Sequence, residues 1–244
     1  MTALAGLPEV RPGDDLGALL AAAAPEGMRN GDVLCVAHKA VSKAEGRVRR
    51  LDEVEPGERA RELAAAQDKD PRLVQVVLDE SAEVLRAERG VIVCVTPHGY
   101  VCANAGVDAS NAPAGHVVLL PFDPDASARL LRARIAELTG ARPGVIVTDS
   151  FGRAWRVGQT DVAIGAAGVV AVDDWSGRTD AEGRELRATA IAVADSLAAA
   201  ADLARAKDSG QAAVLIRGAG RFVTAGDGPG AAALRRERGL DLFR

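Results

Sequence analysis

The order of apolar runs and amphipathic stretches constrains this chain more than any single motif does. Short runs of strand character fall at residues 32–37, 91–95, 100–103, 116–120, 145–148, 162–172 and 213–216, with Gly165 and Gly168 interrupting the sixth. Helical spacing marks 58–67, 71–81 (Leu73, Val76, Val77 and Ser81 on one face) and 123–138. In the last of these Asp125 can cap the start, Leu131, Ile135 and Leu138 share a face, and Gly140 supplies the stop. An earlier helix carries Leu16, Leu19 and Leu20 behind a cap at Asp14 or Asp15. A long alanine-rich helix is predicted over 185–207, with Ile191, Ala194, Leu197 and Ala201 inward. Thr96-Pro97-His98-Gly99 joins two strands as a hairpin, 39–47 reads as a polar basic loop, and a glycine-rich loop over 218–230 precedes a basic C-terminal helix. Strand and helix do not alternate as β-α-β, so the expectation is an α+β fold, mixed α/β with substantial antiparallel sheet. Neither repeats nor a linker divide it, so a single domain over 1–244 is expected.

Charge and composition exclude some functions. A net charge of −4 and only seven aromatics (Phe 4, Trp 2, Tyr 1) offer neither the basic face nor the stacking surface that nucleic acid requires. No apolar run reaches the length of a membrane span, and the N-terminus lacks a basic region followed by an apolar stretch. A cytoplasmic location without membrane attachment is expected. Cys35, Cys94 and Cys102 form an odd set without a CxxC, inside apolar runs, and read as buried thiols. With only His38, His98 and His116 beside them, a zinc site has few ligands to draw on, and oxygen-held Mg²⁺ or Mn²⁺ is the better expectation.

Two runs carry the chemistry: Asn104-Ala105-Gly106-Val107-Asp108-Ala109-Ser110-Asn111 and Thr148-Asp149-Ser150-Phe151-Gly152-Arg153. Each puts an aspartate where an apolar strand gives way to small polar residues, which suits a hard cation: a charged oxygen on a short stem with room to approach. Either aspartate alone reads equally as turn chemistry. Asn104, Ser110 and Asn111 surround the first, and Ser150, Arg153, Arg156, Gln159 and Asp161 follow the second in a run too polar to be core, bringing together carboxylates for a cation and guanidinium groups for phosphate oxygens. Lys39 and Lys43, just past a strand, are placed for phosphate contact, and Arg178, Arg184 and Arg187 suggest a grip on an anionic substrate. Asp180 and Glu185 read as caps at the entry of the long helix. There is no GxxxxGK[ST] and no GxSxG, and Val223 stands where the third glycine of a GxGxxG would fall, which removes P-loop, Rossmann and α/β-hydrolase readings.

Taken together these blocks resemble the coenzyme F420:L-glutamate ligase family, the GTP-dependent γ-glutamyl ligases of deazaflavin cofactor maturation. The resemblance is carried by Gly31-Asp32-Val33, Ser42-Lys43-Ala44-Glu45-Gly46-Arg47, the two aspartate runs, Leu120-Pro121 with Asp123-Pro124-Asp125, and Gly158-Gln159-Thr160-Asp161-Val162-Ala163-Ile164-Gly165. Gly177-Arg178-Thr179-Asp180, Gly183-Arg184-Glu185-Leu186 and Val193-Ala194-Asp195 complete it. It implies that fold and a GTP-driven ligation of L-glutamate to coenzyme F420-0 through an acyl phosphate, with further γ-linked glutamates a possible extension. It further implies Asp108 and Asp149 as ligands of Mg²⁺ or Mn²⁺, Ser150 beside a second metal, and Arg153 as a catalytic partner of the two aspartates. K⁺ is a further candidate ion. Leu7, Pro8, Glu9, Val10, His38, Lys39, Lys43 and Asn111 match nucleotide contacts, and Asp208, in the divergent stretch Ala204-Arg205-Ala206-Lys207-Asp208-Ser209-Gly210, matches a metal or nucleotide contact. A homodimer is expected on the same ground. Alternatives are the ligase half of a bifunctional protein fused to a flavin-dependent reductase, and a catalytically silent nucleotide- or deazaflavin-binding protein.

Overall fold

Val33, Leu34, Cys35 and Val36 are all buried, so the strand they form is apolar on both faces and must be covered on both. In the computed structural model, which describes residues 1–206 and 208–242, this strand, β2 (Val33–Ala37), is the centre of a five-stranded sheet. The order is β1 (Thr2–Ala3), β12 (Ala213–Ile216), β2, β8 (Gly144–Arg153) and β9 (Arg156–Ala167). Only β2 and β8 run parallel; the other neighbours are antiparallel. The fold is thus α+β with mostly antiparallel sheet, as expected.

One face packs on α1 (Leu16–Ala23) and α5 (Pro124–Thr139) through Leu20, Leu34, Val36, Leu131, Ile135 and Ile164. The other is covered by α6 (Val193–Asp202) and the C-terminal segment, with Val33, Cys35, Ile146, Ala194 and Ala198 between. Burying each such Val, Leu or Ile contributes about 1.5–3 kcal/mol. A separate apolar cluster lies within residues 51–119. There α3 (Glu58–Gln67) and α4 (Pro71–Asp79) pack near β4 (Glu83–Glu88), β5 (Val91–Val95) and β6 (Val101–Ala103). The short pair β3 (Val48–Arg50) and β7 (His116–Val118) lies alongside. Among the described residues no helix is long and apolar enough to cross a membrane.

Several sequence expectations hold in detail. Asp15 caps α1 by accepting from Ala18 N, Gly140 ends α5 at φ +74°, and the 96–99 turn joins β5 to β6. Cys35, Cys94 and Cys102 are all buried free thiols, and burial pushes Cys35 and Cys102 up to about 12. Ellman's reagent at pH 8 is therefore expected to find no reactive thiol in the native protein and all three in denaturant. Rapid labelling of the native chain would contradict this packing.

Others are corrected. Residues 39–47 are not a loop, because α2 (His38–Ala44) begins directly after β2 and buries His38, Ala40, Val41 and Ser42. Asp125 does not cap α5; Asp123 does, accepting from Ala126 N, and Asp125 instead accepts from Ala166 N, Ala231 N and Ala232 N. Leu138 lies on the exposed side of α5. The strands expected at 145–148 and 162–172 are longer and shifted: they form one hairpin, closed by Ala154 and Trp155, whose ladder continues through polar residues. Gly165 stays within β9, which ends before Gly168 at φ +68°.

The long helix expected over 185–207 is only α6; its expected end, Lys207, lies outside the described residues. Ahead of it β10 (Val172–Asp174) pairs with β11 (Ala190–Ala192), leaving Ile191 on the exposed side. Between these strands Thr179 bridges Glu185, and the Asp180 carboxylate accepts from Glu182 N and Arg184 N, closing a turn instead of capping a helix. The C-terminal helix is replaced by short 3-10 turns at Ala231–Leu234 and Arg238–Leu240.

Candidate functional site

The parallel pair β2 and β8 creates a crevice where β2 ends and α2 turns away, the position at which mixed sheets ordinarily receive ligands. A cavity of about 610 Å³ opens there. Lys39 and Lys43, four residues apart on α2, share one helical face and both line it. Leu7, Pro8, Glu9 and Val10 form one wall, Asp108, Ser110 and Asn111 another, and Arg205, Ala206, Asp208 and 210–212 supply a third, with Asp208 exposed among them. The floor is Thr148, Asp149, Ser150, Gln159 and Asp161 from the β8–β9 hairpin.

The metal and nucleotide residues that the resemblance implies, Leu7–Val10, His38, Lys39, Lys43, Asp108, Asn111, Asp149, Ser150 and Asp208, all border one cavity, whereas Arg153, Asn104 and Arg156 do not. Arg153 sits at the exposed far end of β8, opposite Arg156, and a strand rise of about 3.3 Å per residue carries it roughly 13 Å beyond Asp149. The reason is the correction above: β8 continues where a loop was expected, so Arg153 cannot fold back beside Asp149 within this chain. Arg178, Arg184 and Arg187 do not line the cavity either.

The carboxylates are held by bases. Lys39 Nζ lies 2.6 Å from Asp108 Oδ2 and 2.5 Å from Ser110 Oγ. Asp108 also accepts from Ser110 N at 2.6 Å and Ser110 Oγ at 2.9 Å. Burial raises the Asp108 pKa, but the Lys39 and Ser110 hydrogen bonds outweigh it and hold the carboxyl below its ordinary value, so it is ionised at neutral pH. The backbone delivering it is unusual: Asn104, Ala105 and Gly106 all have positive φ, and a Cβ on Gly106 would meet Leu120 Cγ at 2.7 Å.

Asp149 Oδ1 accepts from Ser150 N at 2.8 Å and lies 3.3 Å from His38 Nε2, at a distance without hydrogen-bond alignment. The His38 ring is buried, with Nδ1 3.4 Å from Ser42 Oγ, so its side chain faces Asp149 and the core. Lys43 Nζ meets Glu9 Oε1 at 2.5 Å, tying α2 to the 7–10 wall.

Two further groups line the cavity to which the sequence assigns no role of their own: Asp161, named there only as company for Asp149, and Arg205. Asp161 is 1% exposed, receives hydrogen bonds from Thr148 Oγ1 (2.8 Å) and Ser150 Oγ (2.6 Å), and pairs with the Arg205 guanidinium. Asp161 lay in a quoted block as one more polar residue, and Arg205 lay in the divergent stretch; nothing local to either connects them.

Among the described residues acidic side chains outnumber basic ones around the cavity: Glu9, Asp108, Asp149, Asp161 and Asp208 against Lys39, Lys43 and Arg205. A polyphosphate would settle there only with a cation to offset the carboxylates. Among the described residues no group of three His, Cys, Asp or Glu could hold a metal. Aspartate and hydroxyl oxygens that leave the rest of the shell to phosphate and water are the ordinary donor set of Mg²⁺, so the residues present fit such an ion.

Comparison with known proteins identifies the family. The family model described as F420-0:Gamma-glutamyl ligase matches residues 6–218. The chain is 48% identical over 238 residues to the coenzyme F420:L-glutamate ligase of Methanopyrus kandleri, covering 97% of this chain and 94% of that protein. It is 45% identical over 249 residues to the same-named protein of Haloarcula marismortui (99% and 94%), and 49% over 214 residues to that of Archaeoglobus fulgidus (87% and 85%).

Proposed function

The chain belongs to the F420-0:gamma-glutamyl ligase family, and from that membership we propose that it joins L-glutamate to coenzyme F420-0 at the expense of GTP. It is an amide-forming ligase of coenzyme F420 biosynthesis, as its relatives are named. The finer reading is a two-step reaction. A terminal carboxylate oxygen of the deazaflavin substrate attacks the γ-phosphorus of GTP, the bond to the β-phosphate oxygen breaks, and an acyl phosphate and GDP result. The glutamate amine then attacks the acyl carbon, loses a proton, and expels inorganic phosphate as the amide forms.

One observation carries this reading: two lysines, two aspartates, a serine and the 7–10 segment, from parts of the chain far apart in sequence, border a single cavity. In it Lys39 and Lys43 turn from Asp108 and Glu9 toward phosphate oxygens and offset charge as the phosphoryl group moves. Asp108, Asp149 and Ser150 would hold Mg²⁺ or Mn²⁺, which when bound withdraws charge from phosphate oxygens. The Asn111 backbone, at φ +56°, presents its polar side chain at the same wall. No protein nucleophile is required.

Incubating the purified protein with GTP, Mg²⁺, L-glutamate and coenzyme F420-0 is expected to release GDP and raise the product mass by one glutamate residue. Tight GDP binding with no product in that mixture would overturn ligation and leave the silent-binder alternative. ATP in place of GTP checks the choice of base.

A further inference from the structure

Asp108 and Asp149 are shielded unequally. Asp149 Oδ1 meets a backbone N–H and a histidine ring, whereas Asp108 Oδ2 meets an ammonium, Lys39 Nζ at 2.6 Å. That ammonium also donates to Ser110 Oγ at 2.5 Å, so it sits against both side chains of the 108–110 turn. Its contacts can be given up. Lysine is a point charge on a flexible four-carbon stem, and Lys39 borders the cavity with its side chain 20% exposed. The carboxylate, by contrast, does not depend on Lys39 for its place. Ser110 N (2.6 Å) and Ser110 Oγ (2.9 Å) both donate to it, and in the 104–106 backbone that delivers it Gly106 lies tight against Leu120.

A cation on Asp108 Oδ2 would have to enter where the ammonium lies, because both neutralise the same oxygen and like charges repel at such a distance. A phosphate offers Lys39 another partner in the same cavity, of opposite charge and with several acceptor oxygens. We propose that Lys39 is a removable counter-ion. It masks Asp108 in the ligand-free protein, and nucleotide phosphate draws it off, which opens Asp108 to a divalent cation. Cation and nucleotide then bind cooperatively through one side chain, and by linkage each tightens the other by the same factor. The coupling disfavours a bare cation in an empty cavity, and equally a nucleotide without its cation. Lys43, one helical turn on, does not serve this purpose, since its carboxylate partner is Glu9. The proposal rests on the ligase reading for its two ligands and adds the dependence of each on the other.

Calorimetry and the Mn²⁺ paramagnetic signal, on the full chain, measure Mn²⁺ affinity with and without saturating GDP, the Mn²⁺–GDP complex formed in solution being accounted for. Lys39→Met keeps the stem and removes the charge. Without nucleotide it is expected to bind Mn²⁺ about 5–10-fold more tightly than wild type. With GDP saturating, its Mn²⁺ affinity is expected to stay within about twofold of wild type, so the mutual tightening shrinks by the factor gained. A merely structural lysine would give no gain of affinity on removal. Lys43→Met is the control: it is expected to weaken GDP binding and to leave nucleotide-free Mn²⁺ affinity unchanged. Should Lys39→Met not fold, Lys39→Gln, which can still hydrogen-bond to Ser110, carries the same expectation. Equal or weaker nucleotide-free Mn²⁺ binding in a folded Lys39 variant, or an equal gain in Lys43→Met, would overturn the proposal while leaving the ligase reading intact. Failure of the wild-type protein to bind Mn²⁺ and GDP would overturn both.

Discussion

Replacing Asp149 with asparagine is expected to lower kcat by about 10²–10³-fold while moving the melting temperature by only a few degrees. The substitution keeps volume and the amide oxygen can still accept from Ser150 N, so β8 retains its local hydrogen bonding. What disappears is the negative charge. Cation stabilisation of phosphoryl transfer is worth several kcal/mol, and each 1.36 kcal/mol is tenfold in rate. Removing one of two aspartates proposed to hold the cation should forfeit about half of that or more. His38, 3.3 Å away and buried, would then face a neutral amide. GDP release under saturating GTP and glutamate is the measurement. Turnover within a few-fold of wild type, in a folded variant, would remove Asp149 from the metal site.

The second large effect is on stability and lies far from the cavity. Arg132 is 1% exposed, and its guanidinium donates to Pro143 O at 2.9 Å, Ala225 O at 3.3 Å, Thr224 O at 2.6 Å and Asp227 Oδ1 at 2.6 Å. It fastens α5 to the 143–144 turn and to the 224–227 segment. Arg132→Ala leaves three carbonyls and a half-buried carboxylate without that donor, and breaking such a pair costs about 3–5 kcal/mol. For a chain of this length the melting temperature should fall by roughly 10 °C. Gly168→Ala should cost a comparable amount by the opposite route, since its new Cβ would lie 2.3 Å from Arg132 Cζ on a residue at φ +68°. Calorimetry on both variants checks this; a fall of less than about 2 °C in Arg132→Ala would mean water replaces the guanidinium at little cost.

The parts of the fold that could be read from the residues are those with strong local signals. The helix α3 was bounded by its spacing, α5 by Gly140, and the β5–β6 hairpin by its turn. By contrast, α2 spans seven residues with no capping side chain, and its lysines gave it the look of a loop. The alanine-rich approach to α6 satisfies helical periodicity as easily as it satisfies the β10–β11 pairing, and tertiary contact decided.

Asp161 shows why the rest of the site stayed hidden. The β8–β9 turn pairs Arg153 with Arg156, and counting back without interruption would set Ser150 against Gln159. An irregularity near Gly158, at φ +91°, shifts the register by two and sets Ser150 against Asp161 instead. Arg205 then arrives from 44 residues away. Neither step leaves a trace in local pattern.

The pairing of β1 with β12 brings the first residues of the chain beside residues 213–216 and couples this site to the course of folding. Until the last seventh of the chain is available, β2 lacks its β12 neighbour and presents an open apolar edge. Closing so long a loop is costly in entropy before any contact repays it. Cavity walls drawn from residues 7–10, from α2, from Asp108 to Asn111, from the β8–β9 hairpin and from 210–212 can meet only after that closure. Nucleotide affinity should therefore emerge late on the folding pathway, and the ligand can stabilise the finished protein without guiding its assembly.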